Sequence, residues 1–196
     1  MNGGCPPALL APAELLEALA NGPSRADVAL WVQHWQRLDE MFERGHTLRL
    51  EETLFHAVDS GGRCSFRAAW SIALLTEAEA MKSTGLSGRL YGLLQGAGSF
   101  SLQRELMRAL LMLSWSPEQL YDLTQWALDV VFLDDMPLSA LHHSLKVLER
   151  RMNTADAPMS PGLRAAIEDS LSHVRRTADS AHAKKKAALL MARLSE

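Results

Sequence analysis

Apolar residues recur along this chain at intervals of three and four, and seldom at intervals of two. Three-to-four spacing stacks side chains on one face of a helix, whereas a half-buried strand alternates. Val28, Trp31, Val32, Trp35, Leu38, Met41 and Phe42 form such a stripe. Leu50, Leu54, Phe55 and Val58 form another, and Leu102, Leu106, Ala109, Leu110 and Leu113 a third. The spacing predicts about ten helices, over roughly 12–21, 24–44, 48–58, 65–82, 86–95, 101–113, 117–133, 138–152, 161–176 and 181–194.

Start and stop residues punctuate this pattern. Ser24 with Asp27 three positions on has the form of a capping box, and Ser116-Pro117 and Ser160-Pro161 place a cap before a proline in the first turn. Asn21-Gly22-Pro23, Gly45, Asp59-Ser60-Gly61-Gly62, Gly96-Ala97-Gly98, Asp134-Asp135 with Pro137, and the polar stretch 153–160 read as interruptions. β-branched residues are sparse, while Leu, Ala, Arg, Glu and Met dominate. The fold class expected is all-α.

The helices from residue 47 onward read as pairs whose second members align. Ser65, Ser101, Ser139 and Ser180 open four segments, each leading to a small apolar residue and a leucine: Ala73-Leu74, Ala109-Leu110, Val147-Leu148 and Ala188-Leu189. The openings are spaced by 36, 38 and 41 residues. A period near 40 with two helices per unit is that of an α-solenoid, in which neighbouring pairs bury each other's apolar faces. The string Arg63-Cys64-Ser65-Phe66-Arg67-Ala68-Ala69-Trp70-Ser71-Ile72 resembles the start of a second helix in HEAT and armadillo-like repeats. The resemblance covers about 47–196. It implies a right-handed α-α superhelix of about four to five antiparallel helix pairs, and a scaffold or binding platform as the function. The expected organisation is one repeat domain, with 1–11 as a flexible tail and 12–46 as an N-terminal capping helix pair.

Composition narrows the setting. A chain of 196 residues, 47% hydrophobic and 22% charged, suits one sizeable core and excludes a disordered chain. The net charge of −3 argues against whole-protein attraction to nucleic acid or anionic membrane. The start, Met1 to Pro7, lacks the basic region of a signal peptide, and no run approaches the ~18 apolar residues of a membrane span. Two scattered cysteines, Cys5 and Cys64, fit a reducing compartment, so the cytoplasm is the expected location.

Candidate chemistry is thin. No His-Glu-x-x-His or Cys-x-x-Cys pattern occurs, and His142 and His143 are read as pointing to different sides of a helix. No metal or cofactor is expected. Glu51-Glu52 and Asp134-Asp135 are adjacent pairs that do not share a helix face, and are read as a solvated first turn and a turn. Gly96-Ala97-Gly98 follows a helix, not a strand, and is read as a helix stop. Trp31 and Trp35, four apart, are read as core.

Charge is polarised along the chain. Residues 160–196 hold seven Lys/Arg against four Asp/Glu, and residues 1–60 hold four against nine. Ala181, Ala188, Leu189 and Met191 are expected to face inward on the last helix, leaving Arg175, Arg176, Lys184, Lys185 and Lys186 as one exposed cluster for an anionic partner. The functional expectation is a non-enzymatic protein-interaction module. The alternative is nucleic-acid binding or a DNA-glycosylase-like activity of the HEAT-repeat type, for which Arg104, Arg108, Trp126, Arg150 and Lys184 to Lys186 are the candidate residues if they share a groove.

Overall fold

In a computed structural model that describes residues 11–41, 45–81, 83–133, 136–154 and 158–195, ten α-helices account for all regular structure among the described residues. The side chains of Arg63 and of residues 36–41 lie outside that description. The helices are α1 (Pro12–Asn21), α2 (Arg25–Met41), α3 (His46–Asp59), α4 (Arg63–Glu77), α5 (Leu86–Gln95), α6 (Phe100–Leu110), α7 (Pro117–Val131), α8 (Leu138–Asn153), α9 (Pro161–Thr177) and α10 (Ala181–Leu194).

Side-chain caps place several starts where the sequence puts them. The amide of Asp27 donates to Ser24 Oγ, and the Ser24 amide donates back to the Asp27 carboxylate at 2.7 Å. Ser116 and Gln119 make the same reciprocal pair, with Pro117 in the first helical position. Ser160 and Ser180 each accept from the amide three residues on. Each cap satisfies one amide that the helix itself leaves without a partner.

The aligned serines are not equivalent starts. Ser180 is an N-cap, but α4 begins after Gly62, α6 after Ser99 and α8 after Pro137. Ser65, Ser101 and Ser139 therefore lie inside their helices.

The chain forms two compact units, residues 1–113 and 114–196. In the first, α3 pairs with α4 and α5 with α6, and α4 packs along α6. Leu50, Leu54, Ile72, Leu75, Leu90, Leu106, Met107 and Leu110 fill the space between them. The first two helices depart from the expected capping pair: both pack chiefly on α3 and α4 rather than on one another. Leu15, Leu19, Trp31 and Trp35 are buried there, as core residues. In the second unit α7 pairs with α8 and α9 with α10, while α7 packs on α9 and α8 on α10. Leu123, Leu145, Leu148, Ile167, Leu171 and Leu190 are its core.

The inward face of α10 differs from the expected one. Ala183, Ala187, Leu190 and Leu194 are buried, whereas Ala181, Ala188 and Leu189 are exposed and Met191 is half-buried. A stripe through Leu189 would draw in Lys185, Lys186 and Arg193, its neighbours three and four positions away. The stripe through Leu190 gains Ala187, Ala183 and Leu194 and leaves Lys184 and Lys185 in water.

Candidate functional site

The candidate basic residues fall into different environments. Arg104 and Arg108, on α6, are closed on carboxylates. Glu105, almost fully buried, accepts from Arg104 Nε at 2.7 Å and lies 3.5 Å from Arg108 Nη1. Arg108 also grips Glu77 on α4 through two nitrogens, both at 2.5 Å. Glu77 accordingly holds the Arg108 guanidinium above its usual range. Two arginines and two glutamates neutralise one another and tie α4 to α6, and Arg104 also lies over the Phe66 ring.

Arg150 and Trp126 lie in the second unit. The Arg150 guanidinium sits 4.0 Å from the centre of the Trp115 ring, a cation–π contact, and burial lowers its pKa. Trp126 is half-buried on α7. Arg104 and Arg108 on one side, and Trp126, Arg150 and the three lysines on the other, thus belong to different units.

The five C-terminal cations are not all alike. Arg175, Arg176, Lys184 and Lys185 are exposed. Arg175 Nη1 lies 3.6 Å from Met191 Sδ. Lys186 turns to α8, where its Nζ donates to Glu149 at 2.6 Å, and Arg193 reaches the same carboxylate oxygen at 3.2 Å.

The acidic pairs also resolve. Glu51 does not solvate the first turn of α3: it is fully buried, accepting from the Ser83 amide at 2.8 Å and from the Ser83 hydroxyl. Its neighbour Glu52 forms a two-pronged pair with Arg89, whose guanidinium also covers the Phe55 ring. Asp134-Asp135 lies outside the described residues. Gly96 closes α5, as read from the sequence.

Two cavities of the second unit hold residues that the sequence reading passed over. One, of about 490 Å³, is walled by Val131, Leu133, Met136, Leu138, Leu141 and Val174, with His173 and Asp179 among the polar residues at its edge. Phe132, Leu133 and Leu138, beside it, are each about half exposed. The other, of about 500 Å³, lies between α8 and α10 and is lined by Ser139, His142, His143, Lys146, Glu149, His182 and Lys186, with Leu145. His142 and His143, read as pointing to different sides of a helix, both line this cavity. The rings of His142 and His182 meet edge-on at 5.3 Å. Burial, then His182 and Lys146, hold the His142 pKa below its ordinary 6.5.

A signal for this second cluster was present. His142 and His182, like Lys146 and Lys186, stand 40 residues apart, close to the 41-residue offset of the last two helix pairs. Among the described residues no group of three or more His, Cys, Asp or Glu is placed to hold a metal ion, and no helix is long and apolar enough to cross a membrane. No family model, curated protein or solved structure matches the chain.

Proposed function

We propose that the chain is a non-enzymatic helical-repeat module that binds a protein partner through an apolar anchor. The observation that carries this reading is the cavity beside the α7–α8 connection, where Phe132, Leu133 and Leu138 remain half exposed around walls of Val131, Leu141 and Val174. Large apolar side chains gathered round a concave site are what an interaction hot spot needs, because a partner's side chain can be fully desolvated there.

The repeat part of the proposal is a right-handed superhelix of about four to five HEAT-like pairs. It is supported by the way pairs stack, α4 along α6 in one unit and α7 on α9 with α8 on α10 in the other. We place the protein in the cytoplasm, a setting in keeping with the free thiol of Cys64.

The nucleic-acid alternative has fewer groups to draw on. Arg104 and Arg108 already face carboxylates, so recruiting them to phosphate would cost existing ion pairs.

The test is affinity capture with the wild type and with a Leu133→Asp, Leu138→Asp variant. Both positions are half exposed, so the variant should fold. A partner held by the wild type and lost by the variant supports the reading. A partner held equally by both removes the cavity from the interface. Catalytic turnover that depends on a single acidic residue would overturn the non-enzymatic reading.

A further inference from the structure

We propose that the cavity between α8 and α10 binds a small molecule carrying a phosphate monoester, held by Lys146, Lys186 and His182 beside the first turns of the two helices.

Direction comes first. His142 meets His182 near the start of each helix, and Glu149 meets Lys186 and Arg193 further along. The two helices therefore run parallel, with their N-terminal ends at the same end of the cavity. Ser139 and His182, each at the second position of its helix, line the cavity there. Each helix start presents the positive end of its dipole, and two such ends side by side favour an anion.

Charge points the same way. Glu149 is the one carboxylate among the cavity's lining residues, and Lys186 and Arg193 already neutralise it. Lys146 is exposed and makes no ion pair among the described residues. With the three histidine rings neutral, Lys146, Lys186 and Arg193 against Glu149 leave a surplus of two positive charges. The lining supplies donors suited to an oxyanion: two ammonium groups, the Ser139 hydroxyl and the His182 imidazole. A cavity of about 500 Å³ exceeds what a bare phosphate needs and falls within the range of small-molecule sites.

The histidines add a dependence on pH. His142 faces His143, Lys146 and Glu149 on its own helix and His182 and Lys186 on α10, and its surroundings favour the neutral ring. A bound dianion would offset the neighbouring positive charge and favour protonation, so protons and anion bind together.

Calorimetric titration of the full chain tests this, with inorganic phosphate and phenyl phosphate as probes of the monoester and sulfate as a dianion that does not titrate near neutrality. Saturable binding of phenyl phosphate is expected, weakened about tenfold by Lys146→Gln, the loss of one charge-assisted hydrogen bond. Lys185→Gln, at an exposed position outside the cavity, should bind as the wild type does. Sulfate should bind more tightly at pH 6 than at pH 8. Lys146 is exposed, so its variant should melt as the wild type does without ligand, which separates lost binding from lost folding. Three results would each overturn the proposal: no saturable binding of phenyl phosphate or inorganic phosphate, equal weakening by both lysine variants, or tighter binding of a dinucleotide phosphodiester than of phenyl phosphate.

Discussion

At the scale of single residues, position in the fold outweighs residue type. Glu51 and Glu52 are adjacent and chemically alike, yet one is sealed in the core and the other pairs with Arg89 at the surface. Their adjacency was legible in the sequence. The partner was not, because Ser83 lies in a turn 32 residues away. Glu51→Ala would leave the Ser83 amide without its acceptor, and should lower unfolding free energy by about 1–3 kcal/mol in chemical denaturation. A second residue-scale case is Gly22, whose φ of +82° closes α1. Arg67, from the string that resembles a HEAT helix, donates to the carbonyls of Leu19 and Ala20 and passes 3.0 Å from where a Cβ on Gly22 would stand. Two costs would meet in Gly22→Ala: backbone strain of about 1–2 kcal/mol, and displacement of a flexible side chain, which is cheaper. Strain should dominate. Adding Arg67→Ala should therefore fail to restore stability, and full rescue in a double-mutant cycle would show that the clash with Arg67 costs more than the strain.

At the scale of elements, starts were more legible than stops. Ser24, Ser116, Ser160 and Ser180 announce helices because a cap is a local hydrogen bond, readable within four residues. The end of α4 carried no such mark. Ala78, Glu79 and Ala80 are helix formers, and the expected helix ran on to residue 82. The chain instead turns at Glu79, with φ of +54°, while the Ala80 amide donates to Leu75 and the Glu79 amide to Thr76. This is a Schellman closure with a glutamate where glycine is usual. Burial of Ala80 beyond the turn supplies what local preference lacks. Glu79 is exposed, so Glu79→Gly should relieve the left-handed strain and raise stability by about 0.5–1 kcal/mol. An unchanged or lowered midpoint in urea would mean that the residue's contacts outweigh its strain. The face of α10 has a similar origin: in an Ala-rich helix two neighbouring stripes compete, and only the charges beside Leu189 decide between them.

At the scale of the whole molecule, the all-helical class and the pairing of successive helices were legible because both follow from periodicity and turn spacing. The division into two units was not, since it depends on which helices touch. The cavity between α8 and α10 was legible in part: the 40-residue spacing of His142 and His182 follows the offset of the helix pairs, but that α8 and α10 lie side by side depends on contact. That contact sets a final prediction, on stability against pH. The folded pKa of His142 is depressed, so near and below 6.5 the unfolded chain takes up a proton more readily than the folded one. The sign follows: stability is unaffected well above pH 6.5, falls as pH drops toward the folded pKa, and loses nothing further from this group below it. Asp27 is a depressed acid, and its contribution is lost only as pH falls below 3.8, beneath the interval from pH 7.5 to 5.5 over which His142 is tested. Melting temperatures at pH 7.5 and 5.5, in a buffer without phosphate or sulfate, should therefore fall further for the wild type than for His142→Gln. Equal falls would assign the acid sensitivity of the molecule to other groups, and a larger fall in the variant would reverse the sign argued for the His142 site.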